Sequence, residues 1–341
     1  MAKKSEILLI YTGGTIGMMR DEASGTLRPF DFKNMSRHIP EIKKIPANIS
    51  THSFKNPIDS SDMQPKTWVE IAEIVFRNYK TYDGFVILHG SDTMAYTASA
   101  LSFMFSNLSK PIILTGSQLP IGILRTDGKE NLITAIEMAC LKNKKGSLLK
   151  EVCIYFEYKL FRGNRCFKFN ADQFNAFQSP NFPELGNAGV EIVINEKLLL
   201  KPGKGKPGLF SELNDRIGVL KVFPGMRPDF AGSVLENKNL NGIVLETFGA
   251  GNATRSSWFL KMLEQTVKRG VPILNISQCP AGKIEPGKYE TGEGLKKAGV
   301  LNGSDLTFEA AVTKMMVVLG LKLSYKKTCA MLTESIRGEM S

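Results

Sequence analysis

The chain has 341 residues, 43% of them apolar, and a formal net charge of +11. That length and apolar content fit two globular domains with substantial cores and argue against a disordered or coiled-coil chain. The lysines are dispersed, with short clusters only at residues 142–145 and 201–206, and no recognition motif of interleaved aromatics accompanies them. The charge therefore reads as solvated surface, and no nucleic-acid partner is expected. Residues 7–10 form too short an apolar run for a signal peptide, and no segment approaches the length that spans a bilayer, so no membrane partner is expected either. Cys140, Cys153, Cys166, Cys279 and Cys329 are odd in number and lack any Cys-x-x-Cys, which suggests reduced thiols in a cytoplasmic protein. His38, His52 and His89 have no partner at metal-ligand spacing, and no catalytic metal is expected.

In chain order, the first strand candidate is 6–11, which runs into Tyr11-Thr-Gly-Gly-Thr-Ile-Gly17. Gly13 and Gly14 can adopt backbone angles closed to other residues and leave their amides uncovered, while Thr15 begins the next element. A small carbonyl substrate would meet a hydroxyl and amide donors together there, though the same pattern also serves as a plain strand-to-helix turn. Asp59-Ser-Ser-Asp-Met63 follows, a cluster suited to the charged ends of an amino acid or simply a capped loop. After Pro65, Trp68, Ile71, Ala72 and Val75 recur at helical spacing on one face, which is core. A second apolar run, 85–88, ends in Leu88-His-Gly-Ser-Asp-Thr-Met94, with a helical pattern beginning near Thr93. In an open parallel sheet, ligands bind beyond the carboxyl ends of strands where neighbouring connections diverge, so Thr15, Ser91 and Asp92 are expected to share one pocket. Asp92 also fits a helix N-cap, a role compatible with the site.

Strand candidates continue at 111–115 and 152–156, and Lys168 sits in Arg162-Gly-Asn-Arg-Cys-Phe-Lys168. The pattern breaks over 191–215, where Lys201-Pro-Gly-Lys-Gly-Lys-Pro-Gly208 resists regular structure, and a linker is expected there. A second series has strands at 217–223, 242–245 and 271–276 and a one-sided helix through Phe308, Ala311, Val312, Met315 and Leu319. Strands alternating with helices indicate an α/β class with a largely parallel, doubly wound sheet. The expected organisation is an N-terminal domain over 1–190, a linker over 191–215 and a C-terminal domain over 216–341.

Taken together, YTGGTIG, DSSDM, ILHGSDTMAYTASAL and RGN followed by Lys168 closely resemble the L-asparaginase family. The fuller strings from Tyr82 to Gly90 and Asp92 to Met104 look like its bacterial cytoplasmic, type I branch. Gly249-Ala-Gly-Asn252, Ser277-Gln-Cys279 and Tyr289-Glu-Thr-Gly292 extend the similarity over nearly the whole chain. The resemblance implies a larger N-terminal flavodoxin-like parallel sheet and a smaller C-terminal α/β domain, assembled as a homodimer or a tetramer of two close dimers. It implies hydrolysis of L-asparagine to L-aspartate and ammonia through an acyl-enzyme ester, without a cofactor. Thr15 falls on the family's nucleophilic threonine, Ser91 and Asp92 on its second threonine and aspartate, and Lys168 on its lysine. Asp59, Ser60, Ser61, Asp92 and Ser117 fall among the substrate-binding positions, with Ser60 and Ser61 toward the α-carboxylate and α-amino groups. Asn252 and Tyr289 are candidates to complete a neighbouring site.

The chemistry gives these roles a reason. A neutral hydroxyl must lose its proton as it attacks an amide, and Lys168, oriented by Asp92, is the candidate acceptor, with Ser91 as relay or water-positioning group. Three features depart from the family pattern. Ser91 keeps the second threonine's hydroxyl but loses the methyl that restricts its rotamer, so activity should survive. The segment from Arg20 to Pro29 lacks the tyrosine that often assists the nucleophile, leaving Tyr289 as a substitute or as a packed tyrosine. Glu246 stands where allosteric relatives place an arginine that holds an effector asparagine, while Cys279 matches another position of that pocket. A carboxylate repels the effector's carboxylate, so weak or absent activation is expected. Two other readings share these motifs: the glutamine-hydrolysing subunit of a transfer-RNA amidotransferase, and a noncatalytic asparagine sensor. The first is disfavoured because only eleven residues precede Thr12, and the second because every position expected to do bond chemistry keeps a competent side chain.

Overall fold

The computed structural model describes residues 4–20, 27–29, 39–201, 203–285 and 290–341. It divides into two compact units, one of Met1–Ser179 with Pro183–Leu209 and one of Pro180–Phe182 with Phe210–Ser341. Tyr289, His38 and residues 21–26 of the Arg20–Pro29 segment lie outside the described residues.

The first unit is built on a sheet of β1 (Ser5–Tyr11), β2 (Ala47–Ser53), β3 (Gly84–Leu88), β4 (Ile112–Thr115), β5 (Val152–Phe156), β6 (Lys159–Arg162), β7 (Gly186–Ala188) and β8 (Ile192–Ile194). Across the sheet the order is β8-β7-β6-β5-β4-β3-β1-β2. The strands from β2 to β5 are mutually parallel and run 2-1-3-4-5 in chain number, the flavodoxin-like order. Antiparallel strands β6, β7 and β8 extend the far side. β3, β4 and β5 are buried at every residue, which is why they read as unbroken apolar runs. β5 and β6 are joined by Glu157 and Tyr158, with φ of 44° and 67°, the left-handed pair that a tight hairpin requires.

Helix α1 (Pro65–Asn78) opens with proline in its first turn and buries Trp68, Ile71, Ala72 and Val75, the stripe expected from their spacing. In α2 (Met94–Met104) every residue but Tyr96 is buried, so it shows no one-sided pattern. α3 (Gly128–Cys140) packs on the central strands.

The stretch expected as a linker is structured in part. Ile192–Ile194 is the edge strand β8, and Gly208–Leu209 pairs antiparallel with Phe105–Ser106. Both pieces belong to the first unit, which runs to Leu209. Two or three residues of strand between lysines and glycines carry too short a period to register as sequence pattern.

The second unit holds a parallel sheet in the order β9 (Ile217–Lys221), β10 (Gly242–Thr247), β11 (Ile273–Ser277), β12 (Leu301–Asn302). Its helices are α4 (Pro228–Leu235), α5 (Ser257–Lys268), α6 (Glu290–Lys297), α7 (Phe308–Gly320) and α8 (Tyr325–Thr333). Leu220, Ile243, Leu245, Phe259, Leu263 and Ile273 form the centre of its core. Thr307 caps α7, its hydroxyl accepting from the Ala310 amide at 3.2 Å. Among the described residues, no helix is long and apolar enough to cross a membrane.

Candidate active site

From β1 the chain crosses to β2 on one side and then to β3 on the other, so the adjacent carboxyl ends of β1 and β3 form a topological switch point. Tyr11-Thr-Gly-Gly-Thr15 leaves one end and His89-Gly-Ser-Asp92 leaves the other.

Backbone contact holds these loops together. Gly14 has φ of 85°, and a Cβ built on it would lie 2.4 Å from the Gly90 nitrogen. Gly13 has φ of 141°, and its Cβ would lie 2.0 Å from the Ile58 carbonyl oxygen. The two glycines thus permit both the turn and the close approach. Thr12 fastens the base, its amide donating to the Leu88 carbonyl at 3.1 Å and its hydroxyl to the same oxygen at 2.9 Å. Thr15, half-buried, opens the short 3-10 turn Thr15–Gly17 that follows. Tyr11 closes this turn, its phenol donating to the Gly17 carbonyl at 3.3 Å, and burial pushes that phenol up to about 12.

The loop of Asp59, Ser60 and Ser61 is the third side. Asp59 caps the turn Ser60–Asp62 by accepting from the Ser61 amide at 2.9 Å and the Ser61 hydroxyl at 2.8 Å. Those two bonds, the amide first, hold the Asp59 carboxyl below its usual range. Ser60 is buried against Gly90, whose added Cβ would sit 2.5 Å from the Ser60 hydroxyl oxygen. Thr93 donates its hydroxyl to the Ser60 carbonyl at 2.6 Å.

Lys168 reaches this centre from the two-residue ribbon Phe167–Lys168, paired with Phe177–Gln178. Its Nζ donates to Ser91 Oγ at 2.9 Å and to Asp92 Oδ1 at 2.6 Å. Lys168 is largely buried whereas Asp92 faces solvent, so the pair is anchored at the lysine end. Asp92 makes no side-chain cap to α2, whose N-cap position is Thr93. Its carboxylate is turned to Lys168 instead.

Two groups absent from the sequence-based set complete the arrangement. Gln118 accepts from Ser91 Oγ at 3.2 Å and donates through Nε2 to the carbonyls of Ala171 and Gln173 at 3.3 and 3.0 Å. Asp127 accepts from the Gln118 amide at 2.9 Å and the Leu119 amide at 3.1 Å, fixing the loop on which Gln118 stands. Burial raises the Asp127 carboxyl against the opposing pull of those amides. Proximity to Ser117 was the sole signal for Gln118 in sequence. Ser117 itself is buried and commits its hydroxyl proton to the Leu119 carbonyl at 2.6 Å.

Thus Thr15, Ser60, Ser61, Ser91 and Asp92 lie on loops that touch at Gly14, Gly90 and Ser60, and Lys168 joins them through its contacts to Ser91 and Asp92, all in the first unit. Asn252 belongs to the second unit, where its backbone pairs with Phe248 in an isolated bridge. Among the described residues, no group of three or more His, Cys, Asp or Glu is placed to hold a metal ion. A hydroxyl at a glycine turn can add to a carbonyl, and a lysine amino group that touches a second hydroxyl and a carboxylate can carry a proton.

Residues 6–200 match the model of the asparaginase N-terminal domain, and residues 216–332 that of the glutaminase/asparaginase C-terminal domain. The chain is 40% identical to L-asparaginase 1 of Escherichia coli strain K12, covering 100% of this chain and 99% of that protein. It is 38% identical to the 60 kDa lysophospholipase of Mus musculus, over 100% of this chain and 63% of that protein. Of solved structures, L-asparaginase I from Vibrio cholerae O1 biovar eltor matches with a TM-score of 0.90 at 39% identity, covering 99% of each chain.

Proposed function

The chain belongs to the asparaginase family, and from that premise we propose that it hydrolyses L-asparagine to L-aspartate and ammonia, with Thr15 as nucleophile. The observation that carries this reading is the convergence of Lys168 Nζ on Ser91 Oγ and Asp92 Oδ1 beside the turn bearing Thr15. Thr15 Oγ adds to the side-chain amide carbon, and its proton passes through Ser91 to Lys168, which acts as the neutral amine. The same pair returns a proton to the leaving nitrogen, the C–N bond breaks, and ammonia departs from an aspartyl ester of Thr15. Water then adds to the ester, and Thr15 regains its proton as L-aspartate leaves. Amides near Gly14 and Ser91 are candidate donors to the oxyanion, a contribution of roughly 3 kcal/mol per well-aimed donor.

Substrate recognition on this reading falls to Ser60 and Ser61 for the α-carboxylate and α-amino groups, with Asp59 shaping their turn and Asp92 facing the amine. Ser117, Asn252 and Tyr289 are further candidate contacts, and no cofactor takes part. The same premise carries a cytoplasmic homodimer or homotetramer. At Glu246, where activated relatives would hold an anion, burial raises the carboxyl and Lys221 stands 3.9 Å away. Its charge disfavours a carboxylate effector, so the asparagine dependence should be hyperbolic.

The test is ammonia release by the purified protein across a range of L-asparagine concentrations, with L-glutamine in parallel and Thr15→Ala as control. Hyperbolic release from asparagine that vanishes in Thr15→Ala is expected. Near-normal release by Thr15→Ala removes the nucleophile assignment, and preference for glutamine removes the substrate assignment.

A further inference from the structure

His89 stands between β3 and the Ser91-Asp92 pair and is fully buried, at 0% exposure. Both ring nitrogens are partnered, Nδ1 at 2.7 Å from the Gly90 carbonyl oxygen and Nε2 at 2.8 Å from Thr97 Oγ1. A carbonyl only accepts, so Nδ1 carries the proton. Burial lowers the imidazole from 6.5 to about 4, so at neutral pH Nε2 is bare and accepts from the Thr97 hydroxyl. Thr97 Oγ1 in turn accepts from Trp68 Nε1 at 3.0 Å, and an indole N–H can only donate. The partners therefore fix every proton along a relay from Trp68 on α1, through Thr97 on α2 and His89, to the Gly90 carbonyl.

Gly90 is where the site's loops meet, since Gly14 and Ser60 both press on it. Rotation of the Gly90–Ser91 peptide would carry Ser91 Oγ away from Lys168. We propose that His89 is a positioning residue: its Nδ1–H holds the Gly90 carbonyl and thereby sets Ser91 and Asp92 against Lys168. The effect on rate rests on the proposed role of Ser91, Asp92 and Lys168 in the reaction. The hold on the peptide does not.

The two ring nitrogens can be tested separately. His89→Asn places an amide N–H where Nδ1–H lies, whereas His89→Gln, one carbon longer, places its amide near the Nε2 end; both remove the ring from the same core. The Gln variant should lose about 10-fold or more in kcat relative to the Asn variant, with KM within about 3-fold, because small misplacements of reacting groups act on the chemical step. Equal kcat in the two variants, or a lower kcat in the Asn variant, overturns the proposal. Amide hydrogen exchange of the peptide bearing Ser91, measured in the intact protein, supplies a readout independent of turnover. Faster exchange at Ser91 in the Gln variant than in the Asn variant is expected, and equal exchange rejects the hold. Absence of ammonia release in the unaltered protein would defeat the functional reading while leaving the exchange comparison decisive.

Discussion

Ser91 gives its hydroxyl proton to Gln118 Oε1 at 3.2 Å while its oxygen accepts from Lys168 at 2.9 Å. The Ser91 proton therefore points away from the lysine at rest, and Gln118 fixes the rotamer from which that hydroxyl turns to Lys168 when it relays a proton from Thr15. Gln118→Leu removes that acceptor and the two bonds to the carbonyls of Ala171 and Gln173. Steady-state kinetics should show kcat reduced by about 10-fold or more with a smaller change in KM. Gln118→Glu keeps an acceptor for Ser91 and should retain more of the rate, and a Leu variant with unchanged kcat would dismiss this role.

Lys168→Met removes the amino group shared by Ser91 and Asp92. Turnover should fall by about 100-fold or more, within the range that positioned proton transfer contributes, while asparagine still binds by equilibrium dialysis. Loss of binding together with turnover would reassign Lys168 to substrate recognition.

The second unit holds an ion pair inside its core. Lys314 on α7 and Glu339 are both fully buried and lie 2.6 Å apart. Lys314 also donates to the carbonyls of Leu332 and Glu334 at 3.1 and 2.6 Å, and Glu339 accepts from the Ile336 and Arg337 amides at 3.0 and 2.7 Å. Breaking such a pair from one side strands the other charge, so Lys314→Met should destabilise the protein by about 3–5 kcal/mol. Denaturant unfolding of Lys314→Met, Glu339→Gln and the double variant checks this: the double variant should cost less than the sum of the singles.

Glu309, in the first turn of α7, is raised to about 7 by burial and secondarily by the nearby Glu246 carboxylate. A carboxyl whose folded value lies above its unfolded value favours the fold most when protonated in both states. Its contribution is therefore fully present below about 4.5, falls as the pH rises toward 7, and is lost above that, a change of about 3 kcal/mol. Glu309→Gln should flatten the pH dependence of stability between 5 and 7 and raise the unfolding midpoint at pH 8. An unchanged slope would show that Glu309 ionises without penalty.

The central sheet was legible because β1, β3, β4 and β5 are buried on both faces and so announce themselves as apolar runs. β2 gave no such signal: its Ala-Asn-Ile-Ser-Thr-His-Ser is an edge strand, and none of its residues is buried. The strand β8 and the paired residues Gly208–Leu209 are too short to show a period, which is why a linker was expected over 191–215 where the first unit runs to Leu209. Within the site, the hydroxyl and carboxylate clusters were legible from chemical type. Gln118, Thr12 and His89 were not, because each acts by a hydrogen bond between residues distant in sequence or by an orientation that only the folded backbone sets.

The strand order has a consequence for the time course of folding. β5 and β6 are neighbours in sequence as well as in space, joined by the left-handed pair Glu157 and Tyr158, and such hairpins close in microseconds. β1 and β3 are neighbours only in space, and pairing them requires closure of a connection that includes β2 and α1. Loop-closure entropy makes parallel pairing across such a separation slow. The switch point at their carboxyl ends therefore comes into existence after the hairpin, and refolding should recover the site more slowly than it recovers secondary structure.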